Sequence, residues 1–92
     1  MRRAVDPTKI AFIVLRNLGD DDWSAIAEDA EGRERYSVVR HGRDRAFNAL
    51  LRGVGLRRAS FKVAWQQGDR KAVYDRKLTA SVLATDGARR RR

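Results

Sequence analysis

The 92-residue sequence has no cysteine, one histidine and one proline. Without cysteine there is no disulfide framework, no thiolate metal site and no cysteine nucleophile. The single histidine, His41, cannot build a zinc site by itself. Long apolar runs are also missing. The longest, which ends at Leu15, is far short of the roughly 20 residues a spanning helix needs. Met1-Arg2-Arg3 is basic like the start of a signal peptide, but Asp6-Pro7 follow at once and no cleavage site of small residues appears. A cytoplasmic protein with no membrane contact is expected.

Catalytic patterns are absent as well. None of Ser24, Ser37 and Ser60 stands in a nucleophile-elbow context. Gly53-Val54-Gly55 lacks the third glycine and the lysine of a phosphate-binding loop. Asp20-Asp21-Asp22, with Glu28, Asp29 and Glu31 nearby, has the donors for magnesium, but its ordinary reading is a solvated loop whose charges cap the next element. No catalytic residue, metal or cofactor is expected, and the chain is not read as an enzyme.

What the sequence has is charge, unevenly spread. The formal net charge is +9, with 36% charged and 42% hydrophobic residues. That is enough apolar material for one small core. Residues 1–41 carry seven Lys/Arg and eight Asp/Glu; residues 42–92 carry fourteen and four. Of the 21 cationic residues 17 are arginine, which forks onto phosphates and guanine edges where lysine is a point charge. A GC-rich coding genome also favours arginine, but it does not account for the asymmetry between the halves.

Along the chain, Asp6-Pro7 reads as a helix start, with Asp as cap and Pro at the first helical position. Ile10, Ile13, Val14 and Leu18 follow at helical spacing and Gly19 stands at the stop, so a helix is expected over 8–18. The competing reading is a strand over Lys9 to Arg16. Trp23 to Arg40 reads as a hairpin turning over Asp29 to Arg33, with Gly32 supplying positive φ; a helix over Asp22 to Glu31 competes. Residues 43–53 form the clearest helix, with Phe47, Leu50, Leu51 and Val54 on one stripe and Arg45, Asn48 and Arg52 opposite. Gly53 and Gly55 are the candidate stops.

Phe61, Val63 and Trp65 alternate with Lys62, Ala64 and Gln66, and Gly68-Asp69 suits the centre of a type II′ turn. That register sets Trp65 opposite Ala72, Val63 opposite Tyr74 and Phe61 opposite Arg76 on one face, with Ala64 opposite Val73 and Lys62 opposite Asp75 on the other. Leu78, Val82 and Leu83 read as a last strand or short helix. Shifted by 36 residues, Leu15 falls on Leu51, Arg16 on Arg52, Gly19 on Gly55, Ser24 on Ser60, Gly32 on Gly68 and Arg40 on Arg76. The expected fold is α+β, in the order α-β-β-α-β-β with this weak pseudo-repeat. It is one domain over 1–88, followed by a basic tail at 89–92.

The expected partner is nucleic acid, duplex DNA before RNA. A helix and a two-stranded ribbon both fit the B-form major groove, and Arg and Asn read guanine and adenine there. The candidate contacts are Arg45, Asn48 and Arg52 on the helix, Arg57 and Arg58 in the linker, Lys62, Arg70, Lys71, Arg76 and Lys77 on the hairpin, and Arg89, Arg90, Arg91 and Arg92 in the tail. The role is that of a small regulatory or architectural factor. The alternative is a non-catalytic structural or interaction module of a phage- or ribosome-associated assembly. A second copy of the chain or another protein, paired through a hairpin edge, is the further partner the sequence allows. Phe61, Trp65 and Tyr74, sharing one face, are expected to be core before they are a stacking platform.

Overall fold

In the computed structural model residues 5–77 are described; the readings over Leu78–Leu83 and Arg89–Arg92 lie outside them. Asp6 does cap a turn: its Oδ1 accepts from the Thr8 N–H at 2.9 Å, with Pro7 at the first position. The turn is a single 3-10 turn, Pro7–Lys9, after which the backbone extends. The helix expected over 8–18 is a strand, β1, Phe12–Gly19. The reason lies in its place. β1 is central in the sheet, and it carries apolar side chains on both faces. Ile13 and Leu15 point one way, Phe12 and Val14 the other. Such a strand reads as an unbroken apolar run, which matches helical spacing equally well.

β2, Asp22–Glu28, and β3, Glu34–His41, form the expected hairpin. Asp29 organises its turn. Its Oδ1 accepts from the Glu31 and Arg33 N–H groups at 3.0 and 2.9 Å, while the Gly32 N–H donates to the Asp29 carbonyl. Helix α1 spans Arg43–Val54, as the stripe required, and ends at Gly55 in the left-handed region. β4, Phe61–Gln67, and β5, Lys71–Arg76, complete one antiparallel sheet of order β3-β2-β1-β5-β4. The chain order is therefore β-β-β-α-β-β, not α-β-β-α-β-β. A 36-residue shift lays β3 on β5 but sets β1 against α1, so a helix plus hairpin is not used twice.

The second hairpin keeps the expected register only at its base: Phe61 opposite Arg76, Lys62 opposite Asp75, Val63 opposite Tyr74. The turn takes three residues, with Gln67 paired to Lys71, and a bulge at Ala64 absorbs the extra one. Above it Trp65 lies opposite Val73, not Ala72. Trp65 thus shares a face with Lys62, and the expected trio of Phe61, Trp65 and Tyr74 is broken.

The core lies on one side of the sheet. α1 packs over β1, β2 and β3, burying Ala46, Phe47, Leu50, Leu51 and Val54 against Ile13, Leu15, Trp23, Ala25, Ala27 and Tyr74. The alanines under the helix let it come close. Phe47 is fully buried, with its ring centroid 4.8 Å from that of Tyr74. Burying these side chains contributes about 1.5–3 kcal/mol for each large one. On the far side of the sheet no described helix packs.

Candidate nucleic-acid interface

Residues 5–77 hold fifteen Lys/Arg and eleven Asp/Glu, so the described body is only mildly basic. Where the cations sit, and which are already engaged, matters more than their number. Several are engaged. Arg76 donates from one Nη to the carbonyls of Pro7 and Ile10 at 2.7 and 2.8 Å and lies over the Phe61 ring, tying the first turn to β5. Arg58 reaches Asp44 at 3.4 Å and lies 4.7 Å from the Phe47 ring centroid. Arg43 donates to the Tyr74 hydroxyl at 3.0 Å and stacks on Trp23. Arg33 and Arg35 bind Asp29. These arginines are already engaged in contacts within the fold.

Arg45, Asn48 and Arg52 are different. They stand at spacings of three and four on α1, exposed, and point directly away from the core stripe. Neither arginine takes part in any of the ion pairs found among the described residues. Arg40, near the end of β3, joins them across a shallow groove of about 430 Å³ that all four line together with Ala49; one of its Nη atoms also donates to the Val39 carbonyl at 2.8 Å. No carboxylate lines this groove. Asp44, the acid in the first turn of α1, is turned aside toward Arg58.

Arg40 was not among the residues singled out from the sequence. It lies in an alternating strand, and nothing local distinguishes it from a solvated charge. Only the packing of α1 beside β3 brings it to the helix.

The remaining candidates do not join this group. Lys62 and Lys71 lie on the opposite face of the sheet, with the Lys71 ammonium 5.9 Å from the Trp65 ring centroid. Arg70 is exposed in the β4–β5 turn, Arg57 in the linker and Lys77 just past β5. Arg89 to Arg92 lie outside the described residues. The helix and hairpin, expected to form one basic surface, present their cations to opposite sides.

No protein-family model, curated protein or solved structure matches the chain. A larger depression of about 860 Å³ lies between Thr8–Ala11 and the β2–β3 turn. Its arginines Arg33, Arg35 and Arg76 are those already bound to Asp29 or to carbonyls, so it offers little to a ligand. His41 contacts Asp22 at 3.1 Å beside Asp21. Among the described residues no three ligating groups are gathered as for a metal ion, and no helix is long and apolar enough to cross a membrane.

Proposed function

We propose that this chain binds nucleic acid, and specifically duplex DNA, through the outward face of α1, as a small regulatory or architectural factor. The observation that carries the reading is the stripe Arg45–Asn48–Arg52 with Arg40 beside it. It is exposed, cationic, without a carboxylate, and held on a helix whose other side is core. A 12-residue helix is about 18 Å long, and a B-form major groove about 12 Å wide admits it. Arginine there forks onto guanine or phosphate, and asparagine pairs with adenine. The deep, narrow major groove of A-form RNA would shut the same helix out.

Fluorescence anisotropy on duplex DNA, single-stranded DNA and duplex RNA, each titrated with salt, tests this. Tight, salt-steep binding to duplex DNA before the other two is the expected outcome. Equal affinity for all three would reduce the stripe to a non-specific polyanion contact, and no binding would remove the function. A non-catalytic interaction module is the second reading. It is favoured by Val39 and Trp65, which remain 53% and 49% exposed.

A further inference from the structure

The register of the sheet lines up a row of side chains on the face away from α1. Ser37, Ile26, Val14, Val73 and Trp65 follow one another across β3, β2, β1, β5 and β4. Four of the five are apolar; no described helix covers them, although Val14 in the middle is only 7% exposed and Ile26 and Val73 are half-buried, so the row is most open at its Ser37 and Trp65 ends. The end of the row at Trp65 is half exposed because the bulge at Ala64 turns that side chain outward. Bulges often re-aim a side chain in this way.

The rows on either side differ in charge. Two residues along each strand toward the β1–β2 turn, Arg16 and Lys71 stand together. Two residues the other way stand Glu28 and Asp75, either side of Phe12, with Glu34 beyond Glu28 and Lys62 beyond Asp75, so this flank is net acidic with one lysine at its β4 end. A two-fold rotation about the apolar row turns such a face onto itself. It sets apolar row on apolar row, and it exchanges the flanks, so that the basic side of one copy covers the acidic side of the other. Lys71 then faces Asp75 of the second copy, twice. A rotation about the strand direction instead would set like charges together.

We propose that this face seats a second copy of the chain, sheet on sheet about that axis, and that the pair bridges two duplexes. Sheets packed in this way stand about 10 Å apart with their strands nearly aligned. Both α1 helices then lie outermost, with the Arg45–Asn48–Arg52 stripes pointing in opposite directions. One duplex cannot reach both. The bridging rests on the DNA-binding reading; the pairing of copies does not. Five strands about 4.8 Å apart give a face about 20 Å across, so the two copies together bury about 1,000 Å². That is the weak end of specific interfaces, and association belongs in the micromolar range.

The test is the solution mass of the full chain, without DNA, by sedimentation equilibrium from micromolar to millimolar concentration. The wild type moves from monomer to dimer. Lys71→Glu sets Glu against Asp75 of its mate and weakens association about tenfold; Asp75→Lys does the same with lysine against lysine. An equimolar mixture of the two variants returns to wild-type association, because each mixed pair has both contacts of opposite sign. A wild type that stays monomeric overturns the pairing. So does a mixture no tighter than its components, including the case where residues 78–92 or another protein occupy the face. Bridging is then read by the capture of a labelled duplex on an immobilised one. Capture that fails with Lys71→Glu and returns in the mixture supports it. A dimer that binds DNA without capture overturns the bridging alone, and a dimer that binds no DNA overturns the function proposed above while leaving the pairing standing.

Discussion

Gly53 of α1 lies against the ring of Tyr36 in β3: a Cβ on Gly53 would come within 2.5 Å of the Tyr36 hydroxyl oxygen and 2.6 Å of a ring carbon. The helix rests on this edge strand because that side chain is missing. Alanine would raise helix propensity by about 1 kcal/mol but force the ring aside, at about 1–3 kcal/mol. Gly53→Ala is expected to destabilise the wild type by about 1 kcal/mol net. In a Tyr36→Ala background the same change should stabilise by about 1 kcal/mol. Urea unfolding of the four proteins measures the reversal of sign.

Phe47 distinguishes core from contact. It is fully buried on the inner stripe, whereas Arg45 is exposed on the outer one. Phe47→Ala removes a ring and leaves a cavity, costing about 3–5 kcal/mol. A domain this small has about 5 kcal/mol in all. Phe47→Ala should therefore be largely unfolded by circular dichroism, while Arg45→Ala melts like the wild type and loses only DNA affinity.

The β1–β2 turn stores strain that can be relieved. Asp20 and Asp21 have φ of 52° and 63°, so both central residues of a two-residue loop are left-handed, where Asn-Gly is preferred. Asp20→Gly should raise stability by about 0.5–1 kcal/mol. Asp21→Gly should gain less, because the Asp21 carboxylate accepts from the Trp23 indole N–H at 3.3 Å. Thermal melts of the two variants order the effects.

Asp29 makes stability depend on acid. The Arg33 backbone N–H holds its carboxyl below its usual value; burial pushes the other way, and the Arg33 guanidinium and the Glu31 N–H lower it further. A depressed folded value means that the contribution is fully present above the unfolded value of about 3.9 and is lost as pH falls through the folded one. Asp29→Asn should be less stable than the wild type at pH 6, and the gap should narrow below about pH 4. Melting curves from pH 2 to 6 check this.

Much of the fold was legible where one spacing admitted one structure. Phe47, Leu50, Leu51 and Val54 fit a helix, and Gly32 after Asp29 favours a turn over the competing helix through Asp22 to Glu31. Ile10 to Leu18 were ambiguous because burial on both faces of β1 erases alternation. The bulge at Ala64 has no local signal: Gly68-Asp69 suits a two-residue turn, whereas the turn takes three residues. The same limits apply to the site. Arg45, Asn48 and Arg52 were readable from helix periodicity. The removal of Arg76 and Arg58 into structural contacts was not, since Pro7, Ile10 and Asp44 are distant in sequence or face them only after folding. Nor was Arg40's arrival beside α1.

The central claim is that DNA meets the outer face of α1 and not the hairpin. The most direct measurement compares Arg45→Ala with Arg52→Ala, as one double variant, against Lys62→Ala with Arg70→Ala as another. Both remove two exposed positive charges and leave the core intact. Affinity for a duplex is followed by anisotropy over a salt series. The helix pair should lose affinity at every salt concentration and flatten the slope of log K against log salt by about 2, while the hairpin pair leaves both near wild type. Equal losses from the two pairs, or a larger loss from the hairpin pair, would contradict the account.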